Sequence, residues 1–408
     1  METTPDTVPE IVAPAGNLEK LKIAVRFGAD AVYFGGEEQN LRIQSDNFSV
    51  DDIGEAVRFC ADNGVKSIFL LNSFLHEKDI VTARRYIESV KNFRFDAIMI
   101  SDPGMMELIR GAGIESDIHL STQMSTLNHL SVRFWHRAGI GRIVLAREAG
   151  VEDIRMIKEN TDARVEIFVH GALCIAYSGR CLISRYLSGR DANQGDCAQS
   201  CRWRFSLVEE NRPGVPLGIT ENPKGTEILS SKDLCLIERI GEYRDAGVDA
   251  FKIEGRMKSL YYVANTTRIY RHAARRAGTE DFTDHLPFYR EELDLISHRP
   301  YTDNLFDEFG ETGFTPVPYI KKALFLGYTT GSAPRGDGLL VRVYNPIRIN
   351  EKIDAIFPLD GKIRDGSFSV REIVGADDKP ADMARPGQEY RILFDRDMSD
   401  DAVLRRRI

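Results

Sequence analysis

The chain has 408 residues, 42% of them apolar and 28% charged, which excludes a disordered or fibrous protein. That length exceeds one ordinary domain and accommodates a barrel of about 250 residues with appendages. The net charge of −8 disfavours indiscriminate nucleic-acid binding, but residues 164–204 carry a net +3 and residues 250–276 a net +6, so two basic islands sit in an acidic body.

In chain order, the start "METTPDTVPEIVAPAG" has no basic and no apolar leader region. No apolar run of the roughly 18 residues needed to span a bilayer appears anywhere. The expected setting is cytoplasmic, with no membrane contact. The first 160 residues then alternate short β-branched or aromatic runs with amphipathic helical stretches. Predicted strands are 11–13, 31–35, 67–71, 97–101, 118–121, 142–146, 165–170 and, after a long gap, 250–254. The last is preceded by a predicted helix "DLCLIERIGEYRDAG" and followed by another, "YYVANTTRIYRHAARR".

Eight strands alternating with helices predict an α/β fold, a closed (β/α)8 TIM-like barrel over 1–285, and no GxGxxG follows the first strand to favour a dinucleotide fold. The stretch between strands 7 and 8, about 80 residues, far exceeds a usual βα loop. Residues 171–235 therefore form a cysteine-rich insertion at the C-terminal mouth of the barrel, the end that hosts catalysis in this fold. A helical pattern near 288–299 lies in a connector, 286–319. Alternating residues with Gly, Asp and Pro turns predict a small all-β, barrel-like domain over 320–408.

Four of the six cysteines fall between Cys174 and Cys201. A reducing cytosol argues against disulfides, and neither a CxxC finger nor a ferredoxin run is present. Gathered soft thiolates favour a metal site, zinc or an iron–sulfur cluster. Gly171, Gly179, Gly189 and Gly195 allow close wrapping, and Arg180, Arg185 and Arg202 can offset cluster charge. The bland alternative is buried thiols, which is the reading for Cys60. A cysteine peptidase needs one activated thiolate with a placed histidine, for which His170 is near in sequence.

The stretch "EIFVHGALCIAYSGRCLIS", with "NQGDCAQSCRW", "SSKDLCLIERI", "GVDAFKIEGRMKS" and "APAGNLEKLKIAVRFGADAVYFGG", resembles the collagenase-like peptidase family U32, and within it the tRNA-hydroxylating branch. The resemblance implies a 4Fe-4S cluster on Cys174, Cys181, Cys197 and either Cys201 or Cys235. It also implies tRNA as partner, dependence on the iron–sulfur assembly machinery, and prephenate as a co-substrate in oxygen-independent C5 hydroxylation of the wobble uridine. Sister branches imply rRNA or quinone-precursor hydroxylation as alternatives, and the family name implies proteolysis. The non-enzyme alternative is a redox sensor or scaffold.

Strand-end location selects the candidates Asn72, Gln123, Arg147, His170, Glu254 and Arg256; Arg42 comes from the loop after strand 2, Lys252 from alternation, Glu166 from the family-like stretch, Arg202 from its place beside the thiols, and Trp203 is weighed as a base-stacking or core residue. His170, Glu166, Glu254 and Arg256 are the catalytic ones. Arg42, Asn72, Gln123, Arg147, Lys252, Arg202 and Trp203 are the substrate-binding ones, with Asp102 and Glu148 also at strand ends. By alternation Lys252 or Glu254 faces inward, and Arg256 can pair a carboxylate bidentately. Tyr261 and Tyr262 are weighed as base-stacking or core residues. Arg268, Arg271, Arg275 and Arg276 are weighed as phosphate contacts or a solvated helix face.

Overall fold

A computed structural model describes residues 8–41, 46–173, 181–202, 220–222, 225–227, 232–303, 319–333, 338–359 and 365–408. Seven parallel strands come first: β1 (Glu10–Pro14), β2 (Ala31–Gly35), β3 (Lys66–Leu71), β4 (Ala97–Ile100), β5 (Asp117–Leu120), β6 (Arg142–Val144) and β7 (Arg164–Ala172). A small hairpin, β8 (Thr220–Asn222) with β9 (Gly225–Glu227), and the short β10 (Asp233–Cys235) lie in the insertion. Strand β11 (Ala250–Ile253) then pairs in parallel with both β1 and β7 and closes an eight-stranded barrel. Its strands are nearly continuous apolar runs, as both faces of a parallel sheet are covered.

Helices α1 (Leu18–Arg26), α2 (Val50–Asp62), α3 (Ile80–Val90), α4 (Pro103–Gly111), α5 (His129–Arg137) and α6 (Val151–Glu159) separate the first seven strands. Their starts are chemically marked. Asn17, Ser49, Asp102 and Asn128 each accept a backbone N–H of the first turn, and Pro103 opens α4 where no N–H partner is needed. Helix α7 (Ile183–Ser188) belongs to the insertion, α8 (Ile240–Asp245) precedes β11, and α9 (Leu260–Arg276) follows it.

Two expectations differ from this structure. The predicted helix "DLCLIERIGEYRDAG" contains α8, but its first three residues form β10, antiparallel to the end of β7 with Cys235 opposite His170. Asp233 is fixed there by Arg299, whose Nε and Nη2 donate at 2.9 and 2.7 Å, and this tertiary pairing overrides the local helical pattern. The helix expected near 288–299 is α10 (Phe282–Leu295), which starts earlier and ends before β12 (Tyr301–Thr302), the strand that pairs with β10.

The C-terminal region is a second closed barrel, antiparallel, built from β13 (Ala323–Ser332), β14 (Leu339–Val343), β16 (Lys352–Ile356), β17 (Gly366–Val374), β19 (Glu389–Phe394) and β20 (Val403–Arg407). A two-stranded ribbon, β15 (Ile347–Arg348) with β18 (Met383–Ala384), lies alongside. Alternate residues such as Val341, Val343, Ile392 and Phe394 fill its own core.

A buried ionic cluster fastens the two barrels. Glu292 of α10 accepts from Arg268 of α9 at 2.6 Å and from Arg405 of β20 at 2.6 and 2.7 Å. Arg268 also donates to Asp365 (2.8 and 2.7 Å) and to the Phe357 carbonyl (3.1 Å). Arg405 further reaches the Tyr261 hydroxyl at 2.8 Å. Burial would raise the Glu292 carboxyl, but the Arg405 hydrogen bond and the charges of Arg268 and Arg405 outweigh it and hold the group below its ordinary value.

Removing this carboxylate leaves two guanidiniums buried without it, so Glu292→Ala is expected to lower unfolding free energy by about 3–5 kcal/mol in a denaturant titration. Because the carboxyl is depressed in the folded state, its contribution is complete above the unfolded value near 4.5 and is lost as pH falls through the lower folded value. Acid should therefore destabilise the wild type more steeply than Glu292→Gln, compared by unfolding midpoints across that range.

Candidate active site at the barrel mouth

The insertion leaves the barrel at the end of β7, and its described residues 181–202 contact the segment that follows β3. The Phe74 N–H, just after β3, donates to the Asn193 carbonyl at 3.2 Å, and Gln194 Nε2 donates to Asp79 Oδ2 at 3.1 Å. Strands β3 and β7 are diametrically opposed in the eight-strand order, so the lobe 181–202 rests on the side of the barrel opposite the strand it follows in the chain. Within it, Ser184 Oγ donates to the Arg190 carbonyl (2.8 Å) and accepts from the Ala198 N–H (2.9 Å). Arg185 pairs with Asp191 and Arg190 with Asp196. Gly189 ends α7 at φ +72°, a left-handed position suited to glycine.

Cys181, Cys197 and Cys201 are part-buried thiols of this lobe. The Gln199 N–H donates to Cys197 Sγ at 3.4 Å and Asn193 Nδ2 to the Cys181 carbonyl at 3.5 Å. Cys174, Arg42 and Trp203 lie outside the described residues, as does the Arg202 side chain. Among the described residues no three His, Cys, Asp or Glu side chains are grouped to hold a metal ion. The described thiols have the right chemistry for a soft metal, but by themselves they do not make a ligand set.

Cys235 ends β10, beside His170 of β7 and Tyr270 of α9. Its sulfur is 3.7 Å from the Tyr270 hydroxyl, and burial pushes the thiol up to about 11. Tyr270 Oη donates to the Val169 carbonyl at 2.9 Å, so the 3.2 Å contact from His170 Nδ1 has the imidazole as donor, with its proton on Nδ1. His170 is buried among the rings of Tyr262, Tyr270 and Tyr301. Burial drives its pKa down to about 3 against the opposing charge of Asp233, so the ring is neutral at physiological pH. Gly171, next in the chain, has φ +110°, and a Cβ there would meet the Glu254 carbonyl oxygen at 2.4 Å. The glycine allows β7 and the residues after β11 to approach this closely.

Inside the barrel lies a line of charges. Arg142 donates to Glu10 at 2.8 Å and to Glu166 at 3.4 Å, and Glu166 accepts from Lys252 at 2.7 Å. Lys252 also stands 4.2 Å from the Tyr33 ring centre. Burial alone would raise the Glu166 carboxyl, but Lys252 and Arg142 outweigh it and keep it ionised. Lys252 thus faces inward as alternation predicts. A register shift between Lys252 and Ile253 then breaks the alternation, and Glu254 emerges 3.9 Å from Arg147.

Arg147 lies over the Phe168 ring at 4.1 Å and borders a cavity of about 310 Å³ shared with Glu148, Asp153, Leu236, Arg239 and Asp303. Arg256 is buried, and its guanidinium donates to Asn40 Oδ1 (3.1 Å) and Asn47 Oδ1 (2.7 Å). Asn72 is buried at the end of β3, and its Oδ1 has no hydrogen-bond partner among the described residues. Gln123 accepts from Ser121 Oγ beside β5, and Asp102 caps α4.

Tyr261 and Tyr262 prove to be core residues, their hydroxyls committed to Arg405 and to the Glu254 carbonyl, which leaves neither ring to stack on a base. Residues missed in the sequence are Arg142, Asn40 and Tyr270. Tyr270 lies two turns beyond Tyr262 on one face of α9, a periodicity that marks it as buried but not as a partner of His170.

These contacts separate supporting from available charge. Lys252→Met should lower unfolding free energy by about 3–5 kcal/mol, because Glu166 loses its nearest counter-charge. Arg147→Met keeps an apolar stem over Phe168 and gives up only a 3.9 Å pairing with Glu254, so it should cost less stability than Lys252→Met; denaturant titration of both variants checks the contrast.

The family described as Peptidase family U32 matches residues 16–313. tRNA hydroxylation protein P1 of Bacillus subtilis is 41% identical over 301 residues, covering 73% of this chain and 71% of that protein. tRNA hydroxylation protein P of Escherichia coli is 32% identical over 429 aligned residues, covering 94% and 93%. A protein named collagenase, from Porphyromonas gingivalis, is 36% identical over 311 residues, covering 73% of each chain. The matched span thus takes in the barrel from α1 onward and the cysteine lobe, and the chain belongs to peptidase family U32.

Proposed function

We propose that this chain is an RNA-modifying enzyme that hydroxylates tRNA, placing the hydroxyl on C5 of the wobble uridine without molecular oxygen. The observation that carries the reading is the similarity to tRNA hydroxylation protein P over nearly the full length of both chains, mouth lobe and C-terminal barrel included. A base edge becomes accessible when the nucleotide is turned out of its stack, and a barrel mouth offers concave space for it. The proposed setting is the cytoplasm.

Converting C5–H to C5–OH removes two electrons from the base. An oxygen-atom donor that is itself reduced by two electrons balances the step, and we propose a prephenate-type dicarboxylate in that role. Arg147, held by Phe168 and near Glu254, is the cation suited to orient such an anion at the rim. His170, neutral and enclosed, holds its proton on Nδ1 against Tyr270 instead of exchanging it with solvent.

The proposed cofactor is a 4Fe-4S cluster, with zinc as the alternative, held by Cys174, Cys181, Cys197 and either Cys201 or Cys235. When bound, such a cluster supplies one-electron transfer or an open iron position. Its loading would make the iron–sulfur assembly machinery a partner of the chain.

A peptidase reading, prompted by the collagenase relative, asks for a thiolate paired with histidine. Among the described residues the thiol nearest His170 in the sheet is Cys235, and burial keeps it protonated, which disfavours that chemistry.

Mass spectrometry of tRNA from a deletion strain is expected to show loss of 5-hydroxyuridine and its return on complementation; unchanged levels would refute the substrate. Anaerobically purified wild type should carry iron and sulfide, Cys181→Ser should lose both, and of Cys201→Ser and Cys235→Ser only the ligand variant should do so. A protein free of iron and sulfide would sink the cluster.

A further inference from the structure

The second basic island builds a cavity on the far side of the barrel from the mouth. It measures about 480 Å³ and is lined by Phe27, Arg268, Arg271, His272, Arg275, Arg276 and Leu359. Four arginines and a histidine line one space, and among the described residues no carboxylate lines it. The acids that balance them stand outside the lining: Asp30 takes Arg271, Asp281 takes Arg276, and Glu292 with Asp365 takes Arg268. His272 Nε2 accepts from Arg276 Nε at 3.0 Å, which turns the His272 Nδ1 proton toward the Tyr289 hydroxyl. Arg271 Nε is a buried N–H donor without a protein acceptor among the described residues.

A solvated helix face does not describe this arrangement. Arg268 is fully buried and Arg271 largely so, while Arg275 is exposed at the cavity edge. The negative end of the α9 dipole favours cations in its last turn, which accounts for Arg275 and Arg276 but not for Arg268 and Arg271 higher up. Guanidiniums fixed from behind by acids, with the buried Arg271 Nε–H lacking an acceptor among the described residues, have the chemistry of an oxyanion site.

We propose that this cavity binds a phosphate group, and that the phosphate belongs to the backbone of the RNA substrate. The second clause rests on the tRNA reading above. Helix α9 starts at the mouth, behind β11, and its 17 residues carry the chain about 25 Å toward the opposite rim. The cavity therefore grips RNA at a distance from the reacting base, and it recognises the backbone and not the sequence.

The test measures tRNA affinity of the full-length protein between 50 and 200 mM salt, conditions over which phosphate contacts weaken by about ten-fold or more. Arg275→Glu/Arg276→Gln should raise Kd on the order of 10-fold and reduce the slope of log affinity against log salt by about one to two. Arg275→Lys should keep most of the affinity, and Arg137→Glu, on the exposed face of α5, should leave it unchanged. Thermal midpoints equal to wild type show that the variants fold. An unchanged Kd and salt slope in the double variant, with no effect of pyrophosphate on the wild-type thermal midpoint, overturn the proposal. If pyrophosphate raises the wild-type thermal midpoint but not that of the double variant, while both bind tRNA equally, a free phosphate ligand replaces the RNA backbone and the second clause falls. A wild type without tRNA affinity refutes the tRNA reading itself, an outcome separate from failure of the cavity.

Discussion

Closure of the barrel by β11 is the constraint on which the rest depends. A four-residue strand must pair with β1 on one side and β7 on the other, although the insertion separates it from β7 in the chain. Backbone pairing is reinforced from inside, where Lys252 of β11 reaches Glu166 of β7 and Glu166 reaches Arg142 of β6. These charges are ionised because each is met by another at close range, and losing one partner strands the next. With β11 in place, α9 is aimed down the outside of the barrel, and Tyr262, Tyr270 and the arginine series take their positions from that one helix.

The same closure explains the division of labour among polar residues inside the barrel and at its mouth. Glu166 and Lys252 spend their charge on each other, and Arg256 spends much of its hydrogen-bonding capacity on Asn40 and Asn47. Arg147 is different, since its principal contact is the face of Phe168 and its carboxylate neighbour Glu254 is 3.9 Å away. A guanidinium held by a ring retains edge N–H groups for an incoming anion. The register shift after Lys252 is what turns Glu254 toward it, a small backbone irregularity with consequences for the site.

The C-terminal barrel is joined to the enzyme core by charge as much as by apolar packing. Glu292 gathers Arg268 and Arg405 from two different barrels, and Tyr328 and Tyr344 add hydroxyl bonds to Glu19 of α1 at 2.9 and 2.5 Å. Such an interface is specific in geometry, because each buried donor must find its acceptor. It also sets Leu359 beside the arginines of α9 in the lining of the basic cavity.

Local sequence determined much of this protein. Short apolar runs separated by capped amphipathic segments specify eight barrel strands nearly residue for residue, because burial on both faces and helix capping act over a few positions. Clustered cysteines and glycines after β7 mark an elaborated mouth for the same local reason. Tertiary structure alone decided what these pieces meet. That "DLC" becomes a strand beside His170 depends on pairing with β7 and on Arg299, 66 residues away from Asp233. That His170 holds Tyr270 depends on residues 100 apart, and the lobe reaches the β3 side only because the barrel is round. Likewise, an arginine series at helical spacing looks the same in sequence whether it faces water or encloses a cavity. The packing of Phe27 and Leu359 against it made the difference, since contacts between distant segments leave no periodic trace in the chain.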